Sequence, residues 1–313
     1  MRERNQVTWG DPRALIEDAR SGGYAVGAFN IHSDETAEAL VQAAEIARAP
    51  IFLQVGRAVI RHTGLRRAYE ITRRAAEGSE AEMVIHLDHG SWDEALEAIR
   101  LGFGSIMYDG AHLPLDENIR RTRHIVEVAH SFGIPVEAEL GRIPDAGEAV
   151  DWSAYYTDVA EAQRFVAETG VDSLAVSIGI VHGVAPSAPE ALNLERLQES
   201  KDVVDCALVL HGASGVPDDE IRAAIDVGVS KINLDTDLRH AFRAGIEAVW
   251  LTGDRQFEEA VAEGRTRMTQ ATIEKMRLFG CEGRSTPVVA RDEVRRAIRA
   301  AQAERTSSGA VEV

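Results

Sequence analysis

The chain is short of several things at once, and each shortage removes a class of protein. Only two of its 313 residues are cysteine, Cys206 and Cys281, far apart and in no ligand-like spacing. That count fits a reducing compartment and leaves no disulfide framework. Lysine occurs three times, at Lys201, Lys231 and Lys275, with arginine supplying the rest of the 34 basic residues. Positive charge is scarce against 51 acidic residues, and the net charge is -17. A surface of that sign repels nucleic acid and anionic membranes, so neither is expected as a partner. An anionic small molecule would need a local site that overcomes the global field. No apolar run approaches the ~18–20 residues of a membrane span. The opening MRERNQVTWGD has basic residues with no apolar stretch behind them, so no secretory signal is expected. The expectation is a soluble, cytoplasmic protein.

What is present is a regular alternation. Short β-rich runs recur at Tyr24 to Ile31, Pro50 to Val55, Met83 to Asp88, Ser105 to Asp109, Pro135 to Leu140, Ser173 to Gly179, Ala207 to His211 and Lys231 to Thr236. Each is bounded by turn or polar residues, as strands buried on both faces are. Between them lie segments of helical period: Asp34 to Arg48, Trp92 to Leu101, Glu117 to Phe132, Ala160 to Thr169 and Pro217 to Val227. Several stop at glycine (Gly102, Gly133, Gly170, Gly228). Eight strands alternating with helices predict an α/β protein, a TIM (β/α)8 barrel with additional C-terminal helices. A doubly wound sheet is the alternative, weakened by the strand count and by the lack of a GxGxxG motif. The expected organisation is one domain over 1–313: barrel about 23–250, helical appendage about 251–302, flexible tail 303–313.

Barrels of this kind place their chemistry at the C-terminal ends of the strands. The residues falling there are Asn30, Asp88, His89, Asp109, Glu139, His182, His211, Asn233, Asp235 and Thr236. Three histidines on different strand ends, His89, His182 and His211, predict a catalytic zinc site. His86 shares Asp88's side of its strand, as an outer partner of that site or a core histidine. His32, His112, His124, His130 and His240 are read as ordinary polar residues. Gly212, Ser214, Asp235 and Thr236 sit in the loops after strands seven and eight, where this fold recurrently binds phosphate. A metal beside a phosphate site suggests enolate chemistry on a phosphorylated ketose. The lysine route to such chemistry is disfavoured, because Lys231 opens strand eight and is expected at the far end of the barrel.

These residues resemble the class II, zinc-dependent ketose-bisphosphate aldolases, which include fructose- and tagatose-bisphosphate aldolases. The likeness runs from about Gly23 to Leu238 and is carried by GAFNI at Gly27 to Ile31, HLDHG at His86 to Gly90 and DGAHLPLDEN at Asp109 to Asn118. VEAELG at Val136 to Gly141, AVSIGIVHG, LVLHGASG and KINLDTDLR complete it, with an echo at Leu278 to Arg284. The resemblance implies zinc on His89, His182 and His211, with Glu139 able to approach the metal. It implies Asp88 as acid and base at the aldehyde oxygen, Asn233 on the enediolate half and Asn30 on substrate hydroxyls. Gly183, Gly212, Ser214, Asp235 and Thr236 would line the phosphate site, beside a monovalent cation (sodium or potassium). Glu148 matches the mobile-loop carboxylate that moves a proton on dihydroxyacetone phosphate, and Asp145 competes for that role. Gly56 and Ala111 stand where many relatives have serine, which leaves the aldehyde half open. The implied reaction is reversible cleavage of a ketose bisphosphate by a homodimer or homotetramer. A metal-dependent hydrolase and a non-catalytic aldolase-like subunit are the remote alternatives. The hydrolase would want a His-x-His pair where strand one ends Asn30-Ile31-His32.

Overall fold

The computed structural model describes residues 10–141, 143, 155–180, 192–253 and 255–285. Its strands are β1 (Val26–Asn30), β2 (Ile51–Val55), β3 (Met83–Gly90), β4 (Ser105–Tyr108), β5 (Val136–Leu140), β6 (Ser173–Val176), β7 (Ala207–Leu210) and β8 (Val229–Leu234). They pair in sequence order, all parallel, and β8 closes onto β1. The chain is a TIM barrel, as the alternation predicts. The helices around it are α1 (Pro12–Gly22), α2 (Asp34–Ala47), α3 (Arg57–Thr63), α4 (Leu65–Ala75), α5 (Trp92–Leu101), α6 (Leu115–Ser131), α7 (Val159–Thr169), α8 (Leu194–Val203) and α9 (Asp218–Val227). Two more, α10 (Thr236–Trp250) and α11 (Phe257–Leu278), follow the last strand.

Local chemistry sets these boundaries. Ser33 and Ser91 cap α2 and α5 through reciprocal side-chain bonds with Thr36 and Glu94. Gly102, Gly133, Gly170 and Gly228 all have positive φ, between 70° and 140°, where a Cβ would be strained. The pleat then sorts the strand residues. Ile85, Leu87, Ala138 and Ile232 are buried on the face toward the helices, while His86, Asp88, Glu137, Glu139, Lys231 and Asn233 fill the barrel interior. An interior this polar departs from the branched aliphatic layers usual in such barrels. The departure is where function is to be sought.

α1 packs against β1, β7 and β8 and lies across the N-terminal mouth, where Arg13 pairs with Asp172 at 2.9 Å. At the other side of the sequence, α10 and α11 cross closely at Gly245 and Gly264. A Cβ on Gly245 would lie 2.6 Å from the Gly264 Cα. Thr269 of α11 bonds the Ala39 carbonyl of α2, and Phe279 stacks on Phe29 of β1. The segment after strand eight is thus packed back on the barrel. No helix among the described residues is long and apolar enough to cross a membrane.

Candidate active site

At the C-terminal mouth, β3 supplies two consecutive residues to one point. By alternation only Asp88 should face the interior, with its neighbour pointing away. The register between β3 and β4 shifts between Leu87 and Gly90, and His89 adopts a left-handed backbone with φ of 50°. This bulge turns the His89 ring back to the mouth beside Asp88. A non-glycine residue held there is locally strained, as residues at functional sites often are.

His89 meets His211, which follows β7, with Nε2 of the first 3.0 Å from Nδ1 of the second. The outer nitrogen of each ring is taken by a carboxylate. Asp109 lies 2.9 Å from His89 Nδ1, and Glu137 lies 2.8 Å from His211 Nε2. Carboxylates in these positions accept a ring N–H, and in the neutral ring the tautomer they favour leaves the inner nitrogen as a lone pair. Asp88 completes the group. One ligand atom from each of Asp88, His89 and His211 lies within 4.8 Å of the others. The buried Oε2 of Glu139 has no hydrogen-bond partner and lies 3.8 Å from His89 Nδ1. Facing imidazoles, a carboxylate and an orphaned carboxylate oxygen fit a divalent cation.

The electrostatics agree. Burial works against a charged His89, but Asp88, Asp109 and Glu139 outweigh it and lift its pKa to about 9. Burial dominates at Glu139 and raises its carboxyl to about 8. Asp88 resists its own burial through the charges of His89 and His211 and a bond from Asn30, and is held at about 2. Burial lowers His211, keeping its ring neutral despite Glu137. Too many carboxylates face too few cations here, and bound positive charge would relieve them.

Asp88 is gripped by Asn30 Nδ2, which donates to Oδ2 at 2.9 Å, and by Asn233 Nδ2, which donates to Oδ1 at 3.2 Å. Lys231 needs correcting. It lines the cavity at the N-terminal mouth, as its place early in β8 implies, but its ammonium reaches up toward the site. Its Nζ is buried directly beneath the site, donating to Glu137 Oε2 at 2.9 Å and to Asn233 Oδ1 at 2.8 Å. β8 begins at Val229, two residues earlier than the apolar run suggested, and this raises Lys231 one layer up the interior. Burial opposes a charged Glu137, but the Lys231 charge prevails and holds the carboxyl well below its ordinary range.

Beyond β7 and β8, Gly212 and Gly215 have φ of 61° and 77°, and Ser214 Oγ accepts the Asp237 N–H of the first turn of α10. Thr236 opens that helix, giving a turn and a helix start side by side at the mouth. Asn30, Gly212, Ser214, Asn233, Asp235 and Thr236 line one pocket of about 380 Å³ with Asp88, His89 and His211. Glu139 sits behind His89 and does not line it. His182, Gly183, Glu148 and Asp145 lie outside the described residues, as do parts of the appendage and the tail.

The structure adds residues that sequence reasoning passed over. His32, read as ordinary, lies 2.7 Å from Asp235 Oδ1 and lines the pocket. Arg57 bonds Asp109, and Arg239 bonds Asp235 at 2.9 Å. Glu137 was discoverable, since it lies two residues before Glu139 and so shares its inward face. His86 bonds Ser105 at 2.6 Å and lines a cavity at the opposite mouth.

The family model described as fructose-bisphosphate aldolase class-II matches residues 11–284. The crystal structure of the YdjI aldolase from Escherichia coli K12 superposes with a TM-score of 0.80 at 35% identity, covering 89% of this chain and 100% of that one. A candidate fructose-1,6-bisphosphate aldolase from Coccidioides immitis gives 0.76 at 27% identity, over 88% of this chain and 98% of its own. Fructose-bisphosphate aldolase Fba of Campylobacter jejuni gives 0.76 at 22% identity, over 88% and 96%, a likeness of fold.

Proposed function

Because this chain belongs to the class II fructose-bisphosphate aldolase family, metal-dependent lyases, we propose that it reversibly cleaves a ketose phosphate to dihydroxyacetone phosphate and an aldehyde. The observation that carries this reading is the pair of imidazole nitrogens facing each other at 3.0 Å beside Asp88, in the pocket that also holds Ser214 and Thr236. The substrate we propose is fructose-1,6-bisphosphate, with tagatose-1,6-bisphosphate, its C4 epimer, or a variant ketose phosphate as the alternative.

The residues divide the work. His89, His211 and His182 are the proposed zinc ligands, and Glu139 is an alternate ligand. When bound, the ion polarises the substrate carbonyl and offsets charge on the enediolate. Asp88, ionised and clamped by two asparagines, takes the C4 hydroxyl proton in cleavage and returns it in synthesis. Asn233 holds the enediolate half, and Asn30 the substrate hydroxyls. Gly183, Gly212, Ser214, Asp235 and Thr236 receive its phosphate, beside a sodium or potassium ion. Glu148, with Asp145 as competitor, protonates the enediolate carbon. The proposed setting is a cytoplasmic homodimer or homotetramer in carbohydrate metabolism, with neither nucleic acid nor membrane as partner.

A cleavage screen over ketose phosphates, scored by dihydroxyacetone phosphate release, tests this. Chelation should abolish release and zinc should restore it. Asp88→Asn should lower turnover about 10²- to 10⁴-fold with metal content near that of the native protein. Full activity after verified metal removal would end the proposal.

A further inference from the structure

The aldolase reading, on which this inference rests, leaves Lys231 without a role. Of the three lysines it alone is buried, at 2% exposed. It reaches the site from below, and the cavity of the N-terminal mouth runs up to it. Its Nζ donates to Asn233 Oδ1 at 2.8 Å and to Glu137 Oε2 at 2.9 Å, and lies 5.7 Å from the centre of the Phe52 ring. Both acceptors serve the mouth above. Asn233 turns its other end to Asp88, and Glu137 turns its other oxygen to His211.

An amide side chain fills nearly the same space in two orientations, and its partners decide between them. An ammonium group only donates, so it holds Asn233 Oδ1 downward and leaves Nδ2 facing Asp88 and His211. The ionised Asp88 carboxylate favours the same orientation. That preference ends when Asp88 takes the C4 hydroxyl proton, since a carboxylic acid can donate to an amide oxygen. At that moment negative charge develops on the enediolate, which needs the N–H face of Asn233. Lys231 takes no part in the proton transfer, and its grip persists through the step. It also fixes Glu137, whose Oε2 has one further hydrogen-bond partner among the described residues, Ser173 Oγ at 3.5 Å.

We propose that Lys231 is a positioning residue for the aldol step, holding the Asn233 amide and the Glu137 carboxylate in their working orientations from the opposite mouth of the barrel. Because it lines the N-terminal cavity, of about 330 Å³, its place can be refilled from outside. Lys231→Ala removes the equivalent of a propylammonium ion from the roof of that cavity.

The test uses full-length protein at saturating zinc and the ketose phosphate that it cleaves. Lys231→Ala should lower kcat about 10- to 100-fold, with KM within about 3-fold and zinc content at saturation unchanged. Added n-propylammonium should raise kcat of the variant about 10-fold and leave native protein unaffected. Propan-1-ol has the same shape without the charge, and tetramethylammonium has the charge without N–H groups; neither should restore activity. Lys231→Met/Glu137→Gln removes both buried charges together and leaves no lone carboxylate. It should remain about 10-fold slower than Glu137→Gln alone, because Asn233 is still unguided. Equal rates of those two variants would show that Lys231 only balances Glu137, and would overturn the inference while sparing the aldolase reading. So would native kcat in Lys231→Ala, a loss confined to KM or to zinc content, rescue by either control compound, or no rescue by the amine. Native protein that cleaves no ketose phosphate would overturn both.

Discussion

The two mouths of the barrel hold cavities of similar size, about 380 Å³ at the C-terminal end and about 330 Å³ at the N-terminal end. Both are lined with titratable side chains. At the N-terminal mouth Arg13 and His130 both hold Asp172, and Lys231 holds Glu137, while the buried Nε2 of His86 has no hydrogen-bond partner. At the C-terminal mouth the carboxylates sit behind the imidazoles and turn their inner nitrogens toward each other. Density of charge does not separate a site from a scaffold. How the side chains are turned toward one another does.

Glu137 belongs to both ends, since one oxygen faces His211 and the other faces Lys231. It therefore offers the sharpest way to break the contrast. Glu137→Gln keeps the shape and removes the charge, and should weaken zinc affinity about 10- to 100-fold in a competition titration. An unchanged affinity would make Glu137 part of the scaffold alone. A broader effect follows from pH. In the metal-free fold Glu139 keeps its proton to about 8 rather than 4.5, and His89 to about 9 rather than 6.5. Through these two groups the native chain binds more protons than the unfolded chain, and stability falls as pH rises through that window. His86, lowered to about 3, and His211, also lowered, act in the opposite sense below about 6.5, and Asp88, lowered to about 2, does so in stronger acid, so the fall is confined to the alkaline side. The Tm of metal-free protein should drop by several degrees from about pH 7 to about pH 9, and zinc should raise Tm most at the alkaline end. A pH-independent Tm would refute the charge imbalance. The smallest change is expected below. Arg13→Ala breaks a half-exposed pair and should cost within about 1 kcal/mol, with kinetic constants untouched.

Much of the barrel is legible in the sequence. Strand positions followed from apolar runs and glycine stops, because a doubly covered parallel strand and a left-handed helix end each admit few residues. α3 was not legible. It spans seven residues, has no side-chain cap and buries only Val59, so it carries no helical period to detect. The site was half legible. Rim position singled out Asp88, His89 and His211, which the fold brings together. The tautomer-setting carboxylates depend on contacts between residues 20 and 74 positions apart, which no local pattern encodes. His32 shows the same limit, since its partner Asp235 lies 203 residues away.

The kink in β3 has a consequence for anyone wishing to move this chemistry elsewhere. Two side chains adjacent in sequence reach a common point only because the backbone folds over between them, and Gly90 is what lets it. A Cβ there would run into Leu87 at 2.3 Å. Grafting the histidines and the aspartate onto a regular strand of another barrel would deliver one neighbour and turn the other outward. The transplantable unit is the bent stretch from Leu87 to Gly90, and a designer who copies side chains without that bend will build a half-empty socket.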